Sequence, residues 1–331
     1  MDRERPVLVT GGAGFIGRPL VSALVAGGHR VRVVVRRADV ADAFSALGVE
    51  CVVGDLLDPT TAERASAGAG AVFHLAGRLF AAGSRASDYT RLHVDATVAL
   101  LEASAAGTLR PEFFVLCSTT GVHGPTGAVP AREDDPGHPQ NAYELSKAQA
   151  ERSAAAISER VGLPLTIARP GLVYGPGDMH LAGWFRAIRA GYYRVIGGGT
   201  NRLHPIFIDD VVRGLLLCAA AARPGGRAYH LVGPEAVTMR RLSESIGRAV
   251  GRPVPPMHLP GPLAYAVGAA MEILPVPRRM LPLTRSRVQF MLQNRAYDGT
   301  RAREELGFVP EIELDEGLAR TVAWYRTNRL L

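Results

Sequence analysis

A glycine-rich turn near the start of the chain restricts the possible folds more than any other feature of the sequence. Residues Val7–Thr10 predict a short buried strand and residues Arg18–Ala26 predict a helix. The turn between them carries three glycines, Gly11, Gly14 and Gly17. Glycine has no Cβ, so it allows a tight turn and close approach of a ligand to the backbone. This order of elements predicts a site for the pyrophosphate of a dinucleotide, and the alternative is a plain glycine turn.

Further along the chain, apolar strand patterns alternate with helical patterns. The predicted strands are Val31–Val35, Glu50–Val53, Ala71–Leu75, Phe113–Ser118 and Leu165–Arg169. The predicted helices are Val40–Leu47, Thr61–Ala67, Tyr89–Ala106 and Ala142–Val161. Alternating strands and helices form βαβ units, and strands rich in valine suit a parallel sheet that is buried on both faces. The sequence therefore predicts an α/β fold with a doubly wound parallel sheet of the Rossmann type.

The alternation weakens after Pro170, in a region rich in proline and glycine. The predicted elements there are the helix Leu181–Ala190, the return strand Ile206–Asp209 and the helix Asp210–Ala222. We interpret this half as a smaller, mostly helical C-terminal substrate cap. The predicted division gives residues 1–170 and 206–233 to the dinucleotide-binding domain and residues 171–205 and 234–331 to the cap.

Charge and composition limit the classes of function. The formal net charge of the 331-residue chain is +7, which raises the question of nucleic-acid binding. The arginines are spread along the chain without basic blocks, so we expect no nucleic-acid partner. The most apolar long stretch, Leu263–Val276, is interrupted by Glu272 and Pro275, so we expect no transmembrane segment.

The cysteines and the first residues bear on location. Cys51, Cys117 and Cys218 are scattered, and they have neither metal-binding nor redox spacing. They predict buried thiols in a reducing compartment, without a metal site. The first six residues are polar and carry no signal-peptide pattern. We therefore expect a cytoplasmic protein.

The residues that follow the second predicted strand bear on cofactor choice. Dinucleotide sites that prefer NAD usually carry an acidic residue there, which binds the ribose 2′-hydroxyl. This chain has Arg36 and Arg37 instead, and Arg36 follows Gly17 by 19 positions, near the expected spacing of about 20. A guanidinium suits a 2′-phosphate, so the sequence favours NADP(H) over NAD(H). The alternative is that both arginines are solvated surface residues.

Lys147 is the only lysine in the sequence, which otherwise uses arginine for positive charge. Tyr143 stands four positions earlier, so on a helix the two side chains share a face. An ammonium beside a phenol lowers the pKa of the phenol from its ordinary value near 10. Together with the glycine turn, the pair predicts a proton donor and acceptor for interconversion of a carbonyl and an alcohol.

Hydroxyl side chains end the strand predicted over Phe113–Ser118. Ligands bind at the carboxyl edge of a parallel sheet, and a hydroxyl there can stabilise the oxygen of a substrate. For Ser118 and Thr120 we expect only hydrogen bonds to the backbone of the loop.

These motifs resemble those of the extended short-chain dehydrogenase/reductase family over nearly the whole chain. The matching segments are Thr10–Gly17, Gly54–Leu56, His74–Gly77, Ser118–Gly124, Tyr143–Lys147, Arg169–Asp178 and Ile206–Val211. The resemblance implies an NAD(P)-dependent enzyme with Thr119, Tyr143 and Lys147 as its catalytic group. With Arg36, the expected cofactor-binding residues are Gly11, Gly14, Phe15, Ile16, Gly17, Asp55, Leu56, Leu75, Ala76, Gly77, Tyr143, Lys147, Pro170 and Val173.

Three departures from the family's usual motifs narrow the expected activity. His93 stands where many members carry an asparagine of the proton relay. Thr120 and Gly121 stand where dehydratases carry an acidic pair, so dehydration of a sugar is not expected. Leu203 stands where nucleotide-sugar epimerases usually carry an arginine. The segment Asn201–Pro205 is more similar to dihydroflavonol-reductase-like and 3β-hydroxysteroid-dehydrogenase-like proteins, which act on hydrophobic ketones.

The sequence thus predicts an oxidoreductase that interconverts a secondary alcohol and a ketone on a hydrophobic small molecule. The apolar segment Leu259–Leu283 suits such a substrate, although ordinary helix packing explains it equally well. Two alternatives stay open, a nucleotide-sugar epimerase or reductase and a non-catalytic NADP(H)-sensing protein. The resemblance also implies a homodimer formed through Tyr89–Ala106 and Ala142–Val161.

Overall fold

The computed structural model describes residues 2–81, 83–274, 276, 281 and 283–331. The strands are β1 (Val7–Thr10), β2 (Val31–Val35), β3 (Glu50–Val53), β4 (Ala71–His74), β5 (Phe114–Cys117), β6 (Leu165–Pro170), β7 (Leu172–Tyr174), β8 (Val195–Ile196), β9 (Arg202–Leu203), β10 (Pro205–Phe207), β11 (Ala228–Leu231), β12 (Val237–Thr238) and β13 (His258–Leu259). The helices are α1 (Gly17–Ala26), α2 (Ala38–Ser45), α3 (Pro59–Ser66), α4 (Ala86–Thr90), α5 (Ala96–Ala106), α6 (Ala142–Val161), α7 (Ala182–Ala190), α8 (Ile208–Ala220), α9 (Met239–Val250), α10 (Gly261–Met271), α11 (Arg285–Leu292), α12 (Thr300–Leu306) and α13 (Leu314–Thr327), with a π-helix at Arg91–Asp95 and a 3₁₀ helix at Thr120–His123.

Seven of the strands in the described ranges form one sheet, in the order β11-β6-β5-β4-β1-β2-β3. All neighbouring strands in this sheet are parallel. Successive strands run outward from β1 in one direction and then from β4 in the other, which opens a crevice between β1 and β4 at the carboxyl edge. The predicted doubly wound Rossmann sheet is confirmed.

The apolar strands bury both faces of this sheet. In β1, Val7 and Val9 belong to a core cluster that also contains residues of α1 and α8. Leu8, between them, belongs to a second cluster with residues of α3, α5 and α6. Alternate side chains of a strand point to opposite faces, so one short strand contributes to both cores. Each fully buried valine or leucine stabilises the fold by about 1.5–3 kcal/mol.

The return strand predicted over Ile206–Asp209 differs in length and position. Strand β10 ends at Phe207 and pairs with β7, outside the main sheet. Helix α8 starts at Ile208, and Asp209 and Asp210 lie in its first turn, where acidic residues favour a helix N-terminus. The seventh strand of the main sheet is β11, which the sequence patterns did not predict, because His230 interrupts its apolar residues and its place is set by pairing with the distant strand β6.

The helix predicted over Tyr89–Ala106 is interrupted. Helices α4 and α5 are joined by the π-helix Arg91–Asp95, which contains His93. A π-turn adds a residue to the helical turn and is frequent at functional sites. The bounds of α6, in contrast, are those predicted, because Asn141 caps its start and Gly162 ends it in a left-handed conformation.

A third apolar cluster lies in the C-terminal half. It contains residues of α7, α9 and α13, among them Phe185 and Tyr325, and it joins these helices to β10. Helix α10 packs against α11.

Of the proline-rich segment Pro275–Pro282, only residues 276 and 281 lie within the described residues. The division into two domains stays a prediction. In the part of the chain that is described, no helix has both the length and the apolar character needed to cross a bilayer.

Candidate active site

Most of the residues predicted to form the site follow the carboxyl ends of strands in the main sheet. On one side of the crevice, Gly11–Gly17 follows β1, Arg36 follows β2, and Asp55 and Leu56 follow β3. On the other side, Leu75–Gly77 follows β4, and Thr119 comes shortly after the end of β5. Pro170 ends β6, and Val173 lies just beyond it. The carboxyl ends of parallel strands meet at one edge of a sheet, so the topology brings these segments to the same crevice. Tyr143 and Lys147 reach this edge from α6.

The glycine turn has no room for side chains. A Cβ at Gly17 would lie 2.1 Å from the Gly11 carbonyl oxygen, and a Cβ at Gly11 would lie 2.7 Å from the backbone nitrogen of Ala76. Gly11 also has a φ of 70°, which favours glycine. Residue Ile16 makes no side-chain capping hydrogen bond at the N-terminus of α1, so this helix end can face a phosphate. The turn therefore fits a dinucleotide.

The three predicted catalytic residues come together in the structure. Thr119 and Tyr143 line the same cavity, and the Thr119 side chain lowers the pKa of the Tyr143 phenol. The Thr119 hydroxyl also accepts a hydrogen bond from the Gly121 backbone N–H at 3.0 Å. Lys147 is buried, and its Nζ donates a hydrogen bond of 2.9 Å to the Cys117 carbonyl oxygen at the end of β5.

The pKa of Tyr143 differs from the expectation based on the sequence. Burial raises the pKa of its phenol well above the ordinary value, and the Thr119 side chain only partly offsets this effect. Burial also lowers the pKa of Lys147. A phenol that holds its proton suits donation to a substrate oxygen.

His93 anchors the loop that follows β4. Its Nε2 accepts a hydrogen bond of 3.0 Å from the Arg78 backbone N–H, so Nδ1 carries the proton and donates to the Ser146 hydroxyl at 2.8 Å. The ring also packs edge-on against Tyr143, with centroids 5.6 Å apart. Both ring nitrogens of His93 are occupied by these contacts. We infer that His93 fixes the loop against α6 and does not take the place of the relay asparagine.

Five buried histidines among the described residues, including His204, have a lowered pKa and make the stability of the fold depend on pH. Burial lowers the pKa of His74, His93 and His230 from 6.5 to about 3 and that of His123 to about 4. The unfolded chain therefore binds more protons than the folded chain between pH 6.5 and pH 4, so stability is lost as the pH falls. We expect each of His74, His93, His123 and His230 to reduce the free energy of unfolding by about 1 kcal/mol between pH 7 and pH 5.5.

Urea unfolding at pH 7.5, 6.5 and 5.5 measures this loss. Glu133 acts in the opposite direction, because burial raises its pKa, and it reduces the total slope. A free energy of unfolding that stays constant over this range would contradict the neutral state of the buried histidines.

The side-chain hydroxyls of Ser118 and Thr120, on either side of Thr119, differ in their hydrogen bonds. Thr120 donates a hydrogen bond of 3.2 Å to the Pro170 carbonyl oxygen, as expected for a residue that satisfies the loop backbone. For Ser118 the expectation was wrong. Its buried hydroxyl has no hydrogen-bond partner among the described residues, and Ser118 lines the cavity described next.

A cavity of about 470 Å³ adjoins the group of Thr119 and Tyr143. Its apolar lining residues include Phe15, Ile16, Leu79, Phe80, Leu172, Val173, Leu181, Leu203, Phe290 and Met291. Leu203, the residue that replaces the arginine of epimerases, is thus part of an apolar wall. This composition suits a hydrophobic ligand held by a few polar groups.

The apolar segment Leu259–Leu283 does not form this wall. Within the described residues, the C-terminal part of the lining comes from Ser286–Tyr297. Helix α10 packs against α11, but only Ala264 and Gly268 of α10 are buried, and Leu263 and Tyr265 stay exposed. Packing within the chain therefore explains only part of the apolar character of this helix. The interpretation of this segment as a substrate wall was wrong for its described residues.

Sequence reasoning missed most of the polar residues that line the cavity, among them Glu144, Arg295 and Tyr297. Glu144 stands inside the Tyr143–Lys147 motif but was given no role there, and no motif pointed to Arg295 or Tyr297 as part of the site. Glu144 and Arg295 are 151 residues apart in the chain and form a buried ion pair, with 2.8 Å between Oε1 and Nη1. No local pattern could have connected them.

The chain is similar to known enzymes over nearly its whole length. The model of the NAD dependent epimerase/dehydratase family matches residues 7–232. The 2-alkyl-3-oxoalkanoate reductase of Stenotrophomonas maltophilia is 34% identical over 337 aligned positions, covering 96% of this chain and 98% of that protein. The UDP-glucose 4-epimerase of Mycolicibacterium smegmatis is 31% identical over 344 positions, covering 97% and 98%. The solved structure of MoeE5 in complex with UDP-glucose and NAD is 28% identical with a TM-score of 0.77, covering 98% and 99%.

Proposed function

Since the chain belongs to the NAD dependent epimerase/dehydratase family and is an NAD(P)-dependent enzyme, we propose that it interconverts a ketone and a secondary alcohol on a hydrophobic small molecule. The family is the one expected from the sequence motifs. The observation that carries the proposal is the apolar cavity, with Leu203 in its wall, beside the Thr119 and Tyr143 hydroxyls. The similarity to a 2-alkyl-3-oxoalkanoate reductase supports it.

The proposed mechanism assigns one task to each of three residues. The nicotinamide cofactor, when bound, supplies or accepts the hydride at the carbonyl carbon. In the reducing direction, Tyr143 donates its phenolic proton to the ketone oxygen, and the Thr119 hydroxyl holds that oxygen by a hydrogen bond. Lys147, fixed by the Cys117 carbonyl, stabilises the phenolate that remains on Tyr143. The alcohol forms when the oxygen takes this proton.

We further propose that Arg36 makes the enzyme prefer NADP(H). Arg36 is exposed at the end of β2, where the ribose of a dinucleotide lies in this type of fold. We expect Arg36→Ser to raise the KM for NADPH by about tenfold to a hundredfold, because a charge-assisted hydrogen bond to the 2′-phosphate is lost. The KM for NADH should change little. Steady-state kinetics with both cofactors measures the difference.

Arg37→Ser is the matched control for Arg36→Ser. Arg37 is also exposed, but it is engaged in an ion pair with Asp39 on the next helix. Arg37→Ser should therefore change the KM for NADPH and the KM for NADH only slightly and to the same extent. Equal KM changes for NADPH in the two variants would contradict a specific role of Arg36.

A nucleotide-sugar epimerase or reductase is the second candidate. It is favoured by the similarity to a UDP-glucose 4-epimerase and to MoeE5, whose solved structure contains UDP-glucose and NAD. Against it stands Leu203 at the position where these enzymes usually carry an arginine. The non-catalytic sensor is not proposed further, since the relatives are reductases and epimerases.

Nicotinamide absorbance with two substrate panels tests the proposal. One panel holds hydrophobic ketones and alcohols, and the other holds nucleotide sugars, each with NADPH/NADP⁺ and NADH/NAD⁺. Because an epimerase shows no net change of cofactor, the sugar panel is also analysed by chromatography of the products. Turnover on the first panel supports the proposal. Conversion of a nucleotide sugar without activity on any ketone would overturn it.

We also propose that the protein forms a homodimer. The helices expected to form it, α5 and α6, pack against each other, and Leu145 on α6 is 52% exposed. A second copy seated on these helices would cover this side chain. Sedimentation equilibrium of the purified protein measures the mass.

A further inference from the structure

Helix α10 has apolar residues on all of its sides. Tyr265 carries the only polar side-chain group among its eleven residues. Ala264 and Gly268 are its buried residues, and a Cβ at Gly268 would lie 3.1 Å from the Arg285 backbone nitrogen at the start of α11. A helix that is apolar on all sides is normally buried on all sides, in a large core or in a membrane. Helix α11 covers one side of α10, and an apolar surface remains on the others.

An apolar stripe follows one side of α10 and continues past its end. The Ile273 backbone N–H donates a hydrogen bond of 3.2 Å to the Ala270 carbonyl oxygen, so the helical turn extends beyond α10. Positions i, i+4, i+7 and i+11 share a side of a helix, and here they are Leu263, Val267, Ala270 and Leu274. With Ile273 beside them, these residues form the stripe. Leu263 is 51% exposed, Leu274 53% and Ile273 84%. An exposed apolar patch of this kind marks a site of contact with another protein or with a membrane.

Glu272 is the only charged residue between Pro253 and Val276, and it is neutralised by an ion pair. Its Oε1 accepts the Arg285 backbone N–H at 2.9 Å, and its Oε2 lies 2.9 Å from Arg285 Nη2. The carboxylate is thus held against α11, and its side chain is only 8% exposed. The stripe therefore presents an apolar surface without a free negative charge beside it.

The charged residues around this segment are mostly basic. From Arg252 to Asn294 the chain has five arginines and one acidic residue, which gives a formal charge of +4 out of the net charge of +7. Arg252, Arg285 and Arg287 are exposed. A bilayer that contains anionic lipids has an apolar interior beneath negatively charged phosphate groups. An apolar stripe in a basic segment is complementary to both parts of such a surface.

The same charge argues against a second copy of the chain as the molecule that covers the stripe. In a symmetric dimer this face would meet itself, so two segments of formal charge +4 would be brought together. Like charges at an interface oppose association. Length also restricts the mode of membrane contact. The eleven residues of α10 extend over about 16 Å, roughly half of the hydrocarbon thickness of a bilayer, so the helix is too short to cross it.

We propose that α10 binds the surface of a bilayer that contains anionic phospholipids. The helix lies parallel to the surface, with Leu263, Ile273 and Leu274 among the acyl chains. The positive charge of residues 252–294 attracts the phosphate groups. Tyr265 has an apolar ring and a polar hydroxyl, which suits the boundary between the two regions.

Helix α11 connects this surface with the cavity. Phe290 and Met291 of α11 line the cavity, while the Leu292 Cδ1 atom would lie 3.2 Å from a Cβ at Gly261, at the start of α10. A hydrophobic substrate dissolved in the bilayer is therefore held one helix away from the cavity. This consequence rests on the proposed function, whereas the membrane contact does not.

Co-sedimentation with sucrose-loaded vesicles tests the proposal. The purified 331-residue protein is mixed with vesicles of phosphatidylcholine alone, or with vesicles of an equimolar mixture of phosphatidylcholine and phosphatidylglycerol. The affinity for the mixed vesicles should be about tenfold or more above that for phosphatidylcholine, because only the mixed vesicles attract the basic segment. Added salt should reduce this difference.

Ile273→Ser removes the most exposed side chain of the stripe and leaves the charge unchanged. It should weaken binding to the mixed vesicles by about tenfold to a hundredfold, the range for burial of one isoleucine side chain. Leu47→Ser is the matched control, since Leu47 is 56% exposed between α2 and β3, far from α10 in the chain. Neither residue lines the cavity. Leu47→Ser should bind like the wild-type protein.

Fluorescence quenching by brominated acyl chains distinguishes insertion from attachment by charge alone. The wild-type protein has two tryptophans, Trp184 and Trp324, which give the background signal. Ile273→Trp should add fluorescence that vesicles with brominated acyl chains quench. Leu47→Trp should add fluorescence that these vesicles leave unchanged.

Several results would overturn the inference. These are an absence of binding to both kinds of vesicle, equal binding to both, unchanged binding in Ile273→Ser, and an equal loss in Leu47→Ser. A lower mass of Ile273→Ser than of the wild-type protein, measured by sedimentation equilibrium without vesicles, would assign the stripe to a second copy instead. No measurement here uses turnover, so a failure to reduce any ketone would refute the proposed function and leave the membrane contact standing.

Discussion

Tyr143→Phe should reduce kcat by about a hundredfold to ten-thousandfold while the affinity for the cofactor stays unchanged. The substitution removes one oxygen, which is the proposed proton donor to the substrate, and general acid catalysis contributes a factor of this size. The ring itself remains, with its edge contacts to His93 and Tyr89. Single-turnover kinetics gives the rate of the chemical step, and fluorescence titration with NADPH gives the affinity.

Tyr89→Phe is the matched control for this variant. Its ring centroid lies 6.2 Å from that of Tyr143, but its hydroxyl accepts the Ala81 backbone N–H and Tyr89 does not line the cavity. Tyr89→Phe thus removes the same phenolic oxygen from a neighbouring ring, and this oxygen only holds the backbone at Ala81. The control should retain most of the activity. Near-normal turnover in Tyr143→Phe would refute the assignment of Tyr143 as the acid.

Gly17→Ala should abolish detectable binding of the dinucleotide and lower the stability of the fold. The new Cβ would lie 2.1 Å from the Gly11 carbonyl oxygen and 2.7 Å from the Cα of Gly12. Both atoms are backbone, so they cannot turn aside as a side chain could, and α1 must move away from the turn. Overpacking of this kind costs about 1–3 kcal/mol of unfolding free energy, and displacement of α1 moves the N–H groups that would face the pyrophosphate.

Gly183→Ala is the matched control, because it adds the same methyl group at a position where no other atom is close. Gly183 lies in α7, and a Cβ there would have no atom within 4 Å. Alanine is the better helix former, so this control should raise the free energy of unfolding by about 0.5–1 kcal/mol. Calorimetric titration with NADPH and urea unfolding measure both variants. Retained affinity in Gly17→Ala would contradict the role of the turn.

The elements that the sequence predicted well are those with their own local signals. Helix α6 has a capping asparagine, an apolar stripe and a terminal glycine, so both of its ends could be predicted. The apolar strands of the main sheet could be predicted because burial on both faces leaves a continuous apolar run. Strand β11 and the π-helix around His93 could not, because their conformations depend on neighbours distant in the chain.

Local sequence also determined which residues to expect at the carboxyl edge of the sheet. The glycine turn, Arg36, Thr119 and the pair Tyr143 and Lys147 are each recognisable from spacing or motif, and the topology brings them to one crevice. Their chemical roles and the preference for NADP(H) stay predictions. The burial that raises the pKa of Tyr143 could not be read from its four-residue spacing to Lys147.

By itself, the sequence determined the Rossmann sheet, the family and the candidate catalytic group, because strand periodicity, glycine geometry and short motifs act over a few neighbouring residues. Only the tertiary structure decided what surrounds that group. It paired Glu144 with Arg295 across 151 residues, seated His93 against the loop after β4, and formed the cavity wall from Ser286–Tyr297 in place of Leu259–Leu283. Such contacts arise from the packing of distant segments, and the free energy of that packing leaves no pattern in the local sequence.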